Sequence, residues 1–140
     1  MSDVFLLVLM AVISYLFGNL NWAIIVSKIK KTDIRKLGSG NPGTLNMSRN
    51  LGLKVGLFTF FLDIMKGVIP TLVAYFIFQG KVFENTEFLI SDFAIYLCGF
   101  CVVLGHIYPV FLKFKGGKGI ASTIGVFLVC ESVCGWNGQW

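Results

Sequence analysis

The sequence predicts an all-α protein that crosses a membrane several times. Of its 140 residues, 56% are hydrophobic and only 14% are charged, and its mean hydropathy is +0.79. A helix needs roughly 20 apolar residues to span the hydrocarbon core of a bilayer, and several uncharged segments reach or approach that length. A soluble protein of this composition would lack polar surface. We therefore expect residues 1–140 to form one membrane-embedded domain.

Three segments are predicted to span the membrane completely, and a fourth only in part. The complete spans are residues 4–27, 55–78 and 93–112. The fourth helix begins near Gly119, and we expect it to be short or partial because Glu131 interrupts its apolar run. Three further residues then break the pattern, namely Gly135, Asn137 and Gly138.

The distribution of charge predicts the orientation in a cell membrane. Cations concentrate in the loops on the cytoplasmic side of membrane proteins. The segment after the first span and the segment after the third are both basic, whereas residues 79–92 carry one cation and three anions. We therefore expect the N-terminus outside and both basic loops in the cytoplasm. The cations are Lys28, Lys30, Lys31, Arg35, Lys36, Arg49 and Lys54 in the first loop, Lys113, Lys115 and Lys118 in the second, and Lys81 outside, where the anions are Glu84, Glu87 and Asp92.

The first basic loop contains a glycine-rich stretch, GSGNPGTLNMSR, over residues 38–49. Glycines let a backbone turn its N–H groups toward a ligand, and polar side chains with an arginine add hydrogen bonds and positive charge. This inventory suits an anion, most simply a phosphate; the alternative is a flexible loop that joins two helices. The candidate residues are Gly38, Ser39, Gly40, Asn41, Gly43, Asn46 and Arg49.

The second basic loop, KFKGGKG over residues 113–119, has the same character. It lacks the spacing of a Walker A motif. Its glycine amides, its lysine and a helix N-terminus predicted over residues 119–123 would nevertheless suit a phosphate; the alternative is a basic turn beside the membrane. The candidate residues are Gly116, Gly117, Lys118 and Gly119.

Several polar residues lie inside the predicted spans. Asp63 and Lys66 are three apart, so they can meet on one helix face, either as a structural ion pair or as part of a site that opens to the cytoplasm. His106 is a functional candidate that could instead bond a neighbouring helix. In the first span Gly18, Asn19 and Asn21 fit either helix packing or a polar lining.

The cysteines form C-x2-C and C-x3-C pairs that superficially suggest zinc. Both pairs lie in apolar segments without the polar loops of zinc ribbons, and isolated thiols in such helices act as small hydrophobic residues. We therefore expect no metal site and no disulfide framework. We also expect no cofactor, and no nucleic acid among the partners. The residues are Cys98, Cys101, Cys130 and Cys134.

The motifs resemble the bacterial acyl-phosphate:glycerol-3-phosphate acyltransferase family over approximately residues 17–123. The resemblance is carried by GSGNPGTLNMSR at 38–49, LDIMKG at 62–67 and GHIYPVFLKFKGGKGIAST at 105–123. It implies a membrane enzyme that transfers a fatty acyl group from acyl phosphate to the sn-1 hydroxyl of glycerol 3-phosphate, giving lysophosphatidic acid for phospholipid biosynthesis. The implied partners are glycerol 3-phosphate, acyl phosphate and membrane lipids; the oligomeric state stays open.

The resemblance also implies roles for individual residues. Ser39, Arg49, Lys118 and His106 are expected to be catalytic, with His106 as a conceivable base and a phosphate oxygen of the donor as the alternative proton acceptor. The two loops would hold the two phosphates. Contacts to substrate are expected from Gly38, Gly40, Asn41, Gly43, Asn46, Asp63, Lys66, Gly116, Gly117 and Gly119.

The chain departs from the family pattern in three places, one of which is Asn19, Leu20 and Asn21, where family members often have Ser-x-Pro. Family members usually have Gly-Ala-Thr-Asn where this chain has Gly43, Thr44, Leu45 and Asn46, so the hydroxyl is displaced by one position. A C-terminal His-Arg-x-Asn segment is absent, from which we expect a truncated or frameshifted product. Two alternatives follow: a truncated, non-catalytic member that binds a phosphate-bearing ligand or anionic lipid, and a small transporter subunit.

Overall fold

The computed structural model describes residues 2–84 and 88–134, and this part of the chain is a helical bundle. Three of its segments are long and apolar enough to cross a membrane, Asp3–Ile29, Leu53–Phe78 and Ile90–Leu112. The α-helices are α1 (Asp3–Gly18), α2 (Trp22–Ile29), α3 (Thr44–Leu51), α4 (Leu53–Phe78), α5 (Ile90–Ile107) and α6 (Ile120–Cys134), with short 3-10 helices at Ile34–Lys36 and Val110–Leu112. The predicted fold class, three full spans and a shorter fourth helix, is confirmed.

The fourth helix differs from the prediction in one respect. Glu131 does not interrupt α6, which continues to Cys134. The side chain of Glu131 is exposed, and glutamate is itself a good helix former, so one such residue need not end the helix. The predicted effects of Gly135, Asn137 and Gly138, and the anion Glu87, lie outside the described residues.

The sequence predicted one helix for the first span. The structure instead has two, α1 and α2, separated at two asparagines. The Asn19 Nδ2 donates to the carbonyl of Tyr15 at 2.7 Å, just beyond the end of α1. The Oδ1 of Asn21 accepts from the amide of Ile24 at 3.1 Å and so caps the N-terminus of α2, a role for which asparagine is well suited. The polar residues of this span therefore end α1 and begin α2, which leads into the first basic loop.

Glycines bring the long helices into close contact. A Cβ on Gly18 of α1 would meet the carbonyl oxygen of Val102 in α5, and a Cβ on Gly105 of α5 would meet that of Tyr15. Where α4 crosses α6, a Cβ on Gly67 would meet the carbonyl oxygen of Ser122. Small residues at such crossings allow backbones to approach closely inside a membrane.

Substituting Gly67 by leucine is expected to separate α4 from α6 and to lower the free energy of unfolding by about 1–3 kcal/mol or more, as overpacking of a close contact does. Thermal unfolding in detergent would measure the change. Ile69→Leu on the exposed face of α4 is the control, with an expected change within about 0.5 kcal/mol. Equal melting temperatures for the two variants would contradict this view of the crossing.

The two glycine-rich loops lie at the same end of the bundle. The Asn21 Nδ2 at the start of α2 donates to the Pro42 carbonyl in the first loop at 3.3 Å. The second loop touches the same carbonyl, since a Cβ on Gly117 would come within 3.2 Å of it. At the opposite end, Lys81 Nζ pairs with Asp3 Oδ1 at 2.7 Å. The bundle therefore gathers both predicted site motifs around one region.

Candidate active site

The first glycine-rich stretch is only partly a loop. The sequence predicted a loop as far as Lys54, but Thr44–Leu51 form α3. No glycine or proline interrupts these eight residues, and the buried Met47 packs with Ala23 and Ile34, so tertiary contact supports a helix that would be marginal alone. The correction matters because the N-terminus of α3 now lies at the centre of the motif.

Asn46 braces the loop that precedes α3. Its buried Nδ2 donates to the carbonyls of Ile34 at 3.2 Å and Leu37 at 2.9 Å, and its Oδ1 accepts from the amide of Ser39 at 3.2 Å. These bonds hold a tight path in which Gly40 has a φ of +71°, a region that glycine enters without strain. The amide that was predicted to contact a phosphate is thus engaged with the protein backbone.

The second loop folds back on the end of α5. The amide of Gly116 donates to the carbonyl of Ile107 at 3.1 Å, and that of Gly117 donates to the carbonyl of His106 at 3.2 Å. A Cβ on Gly117 would overlap His106 Nε2. These two glycine amides were expected to face a phosphate. Instead they satisfy the last carbonyls of a helix, and their lack of side chains lets the loop reach both His106 and the first loop.

A cavity of about 230 Å³ lies between the two loops. The first residues of α3 and α6 both line it, and the first N–H groups of a helix have no acceptor within the helix. Two helix N-termini thus place their partial positive charge around one space, and the exposed Lys118 adds a full cation. The lining residues are Asn41, Gly43, Thr44, Leu45, Phe60, Asp63, His106, Lys118, Gly119, Ile120 and Ala121.

A buried polar cluster forms the inner wall. Lys66 Nζ lies 2.7 Å from the carbonyl oxygen of Leu20, 2.7 Å from His106 Nδ1 and 3.2 Å from Asp63 Oδ1. The side chains of Lys66, Asp63 and His106 are 0%, 3% and 4% exposed. The expectation that Asp63 and Lys66 meet is confirmed. Asp63 and His106 face the cavity, whereas Lys66 lies behind them.

The guanidinium of Arg35 is paired with Asp33 and is therefore not free to bind a ligand. Its Nε and Nη2 donate to the two carboxylate oxygens of Asp33 at 2.9 and 2.7 Å. The hydrogen bond from the Arg35 side chain lowers the pKa of Asp33 to about 2, so Asp33 is ionised at physiological pH and offsets the charge of Arg35. The positive charge at the cavity therefore comes from Lys118 and the helix ends rather than from this exposed pair.

The structure brings together some of the predicted site residues and not others. Six line the cavity: Asn41, Gly43, Asp63, His106, Lys118 and Gly119. The other eight do not line it: Gly38, Ser39, Gly40, Asn46, Arg49, Lys66, Gly116 and Gly117. Of the latter, Ser39 is exposed and its Oγ accepts from the Asn41 amide at 3.4 Å, and Arg49 is exposed in the last turn of α3.

Sequence reasoning missed five lining residues: Thr44, Leu45, Phe60, Ile120 and Ala121. A signal existed for some of them. Ile120 and Ala121 open the helix that was predicted after Gly119, and Phe60 precedes Asp63 by three positions, which places both on one helix face. Thr44 supplies a hydroxyl beside Leu45 at the N-terminus of α3.

Comparison with known proteins identifies the family of this chain. The family model described as "Glycerol-3-phosphate acyltransferase" matches residues 8–137. The chain is 47% identical over 115 residues to the glycerol-3-phosphate acyltransferase of Mycoplasmopsis pulmonis, covering 82% of this chain and 49% of that protein. It is 42% identical over 125 residues to that of Aquifex aeolicus, covering 89% of this chain and 60% of that protein.

Solved structures agree with these matches. The crystal structure of PlsY (YgiH), an integral membrane glycerol 3-phosphate acyltransferase, superposes in its glycerol 3-phosphate form with a TM-score of 0.76 at 37% identity, covering 90% of this chain and 58% of that one. Its lysophosphatidic acid form gives 0.75 at 36% identity, with coverage of 90% and 57%. This chain thus spans about half to three-fifths of the length of these relatives, and it belongs to the glycerol-3-phosphate acyltransferase family.

Proposed function

We propose that this protein transfers a fatty acyl group from acyl phosphate to the sn-1 hydroxyl of glycerol 3-phosphate, producing lysophosphatidic acid. The observation that carries the proposal is the cavity in which the N-termini of α3 and α6 meet Lys118 and the buried pair of Asp63 and His106. Family membership supports the same reaction. In this proposal residues 1–140 act as one membrane-embedded unit, with the N-terminus outside and both glycine-rich loops at the cytoplasmic face.

The size and charge of the cavity favour a small phosphate ester. Its volume of about 230 Å³ equals that of roughly eight waters at about 30 Å³ each, which suits a glycerol phosphate but leaves no room for a long acyl chain. Unpaired helix amides and Lys118 would bind the phosphate. Asn41 and the carboxylate of Asp63, which also line the cavity, would hydrogen-bond the hydroxyl groups of the glycerol.

The acyl chain would lie outside the cavity, against the bilayer. Leu45, Phe60 and Ile120 form an apolar part of the cavity wall. The side chains of Leu45 and Ile120 are 67% and 64% exposed, so they join the cavity to the apolar surface of the bundle. A donor could therefore keep its tail in lipid while its reactive carbonyl reaches the cavity, which explains why this chemistry suits a membrane protein.

The proposed reaction needs little acid catalysis, because acyl phosphate is a mixed anhydride. The sn-1 hydroxyl oxygen bonds to the acyl carbon, the bond from that carbon to the phosphate oxygen breaks, and the hydroxyl proton passes to the departing phosphate. Holding the two reactants in attack geometry can supply up to roughly 7–11 kcal/mol. Lys118 and fixed amides would stabilise the developing negative charge, and the exposed Ser39 and Arg49 would contact the second phosphate.

A transfer assay tests the proposal. The purified 140-residue chain in lipid nanodiscs would receive palmitoyl phosphate and labelled glycerol 3-phosphate, and lysophosphatidate would be measured. We expect product with palmitoyl phosphate and none with palmitoyl-CoA at the same concentration. Folded protein that binds glycerol 3-phosphate without forming product would show a binding protein instead, and product from the thioester alone would overturn the proposed donor.

A further inference from the structure

We infer that Lys66 is a positioning residue that fixes the tautomer of His106, so that the imidazole presents an N–H to the cavity and acts as a hydrogen-bond donor rather than as a base. The inference deepens the proposed function, since the donor would face the substrate. It rests on the contacts of three buried side chains from α4 and α5, and its test is independent of acyl transfer.

The surroundings of Lys66 match an ammonium group. An ammonium has three N–H donors and no acceptor, and Lys66 Nζ has three acceptors in reach: the Leu20 carbonyl and His106 Nδ1 at 2.7 Å each and Asp63 Oδ1 at 3.2 Å. A neighbouring carboxylate compensates the buried positive charge, which would be very costly alone. The ring nitrogen Nδ1 of His106 then accepts a hydrogen bond from Lys66 and carries no proton itself.

One other arrangement has the same number of bonds. Lys66 could be a neutral amine whose lone pair accepts from an Nδ1–H of His106, which would leave Nε2 as a basic lone pair. That arrangement removes the cation beside Asp63, whose side chain is only 3% exposed, and leaves an unpaired buried carboxylate. If Asp63 takes the proton instead, both partners become neutral and the ion pair at 3.2 Å is lost. A lone buried charge costs far more than a paired one. The geometry therefore favours the ammonium and the Nε2–H tautomer.

The position of Nε2 in His106 determines what its proton can contact in this tautomer. The α-carbon of Gly117 lies against Nε2, where any side chain would collide with it, and His106 lines the cavity. Within residues 2–84 and 88–134 the ring makes its hydrogen bond through Nδ1. We expect this Nε2–H to donate to a ligand oxygen in the cavity, so that the proton of the acceptor hydroxyl leaves with the donor phosphate, as in the proposed reaction.

The single histidine of this sequence makes the tautomer measurable. Protein labelled with 15N-histidine gives the signals of one imidazole, whose two ring nitrogens differ strongly in chemical shift when one is protonated and the other is not. At neutral pH and without substrate, we expect Nδ1 at the position of an unprotonated ring nitrogen and Nε2 at that of a protonated one. An Nδ1–H tautomer or a doubly protonated ring would overturn the inference, whether or not the protein transfers acyl groups.

Variants test the part played by the lysine. Lys66→Met removes the ammonium and leaves Asp63 Oδ1, 3.8 Å from Nδ1, as the nearest acceptor, so the Nδ1 signal should move toward that of a protonated nitrogen. Lys54→Met, the same change at an exposed position of the same helix, should leave the wild-type shifts in place. Unchanged histidine signals in folded Lys66→Met would refute a positioning role. If that variant does not fold, the wild-type tautomer alone still decides the inference.

Discussion

Replacing Lys118 by methionine is expected to lower kcat/KM for acyl transfer by about 10²–10³-fold, the usual effect of removing one preorganised group that stabilises developing negative charge. Lys118 is the lysine that lines the cavity, beside the N-terminus of α6. Methionine keeps an unbranched apolar stem and removes only the charge. Initial rates of lysophosphatidate formation, measured over a range of glycerol 3-phosphate concentrations, would give the change.

The control for this variant is Lys115→Met in the same loop. Lys115 is exposed and does not line the cavity, so its loss should change kcat/KM by no more than about twofold, as surface substitutions usually do. If both variants were equally slow, the effect would belong to the general positive charge of the loop. A Lys118→Met enzyme with the wild-type rate would remove this residue from the proposed site.

Gly117→Ala is expected to reduce kcat/KM by about 10²-fold while the protein remains folded. The new Cβ would overlap His106 Nε2 and press on the Pro42 carbonyl, so it would displace His106 or push the two loops apart. A displacement of about 1 Å at a catalytic group can cost this much. Transfer rates and a thermal melt of the same preparation would separate lost activity from lost stability.

Gly43→Ala is the matched comparison for the second glycine loop. Gly43 also lines the cavity, but a Cβ there would approach only the side-chain nitrogen of Asn41, at 3.1 Å. Its φ of −146° lies in a region that alanine adopts without strain. The expected loss of kcat/KM is therefore much smaller than for Gly117→Ala. Equal losses would mean that small size alone, rather than contact with His106, explains the glycine at position 117.

Much of the fold follows from hydropathy alone, because long apolar segments in lipid must satisfy their backbone within helices. The spans over residues 53–78 and 90–112 were predicted to within three positions at each end. The errors lie at polar residues. Asn19 and Asn21 cap helices and divide the first span, which the average hydropathy of the segment does not show. The eight residues of α3 are too few to give a clear helical pattern next to a glycine-rich stretch.

The site was harder to predict because a polar group can serve a ligand or the backbone equally well. Asn46 and the amides of Gly116 and Gly117 have the chemistry of phosphate ligands, yet they bond carbonyls of the protein. No sequence spacing reveals that choice. Lys66 and Leu20 lie 46 residues apart, and their contact depends on where two helices cross. The apolar residues in the first turns of α3 and α6 form a site only because the fold brings the N-termini of these two helices together.

The central claim is that the N-termini of α3 and α6 bind the phosphate of glycerol 3-phosphate in one cavity. Backbone amide NMR of the 15N-labelled protein in detergent micelles tests it most directly, with glycerol as the control that lacks the phosphate. We predict saturable shifts at the first-turn amides of Thr44, Leu45, Ile120 and Ala121 with glycerol 3-phosphate but not with glycerol. Shifts confined to residues outside the cavity, or no saturable shift, would contradict the account.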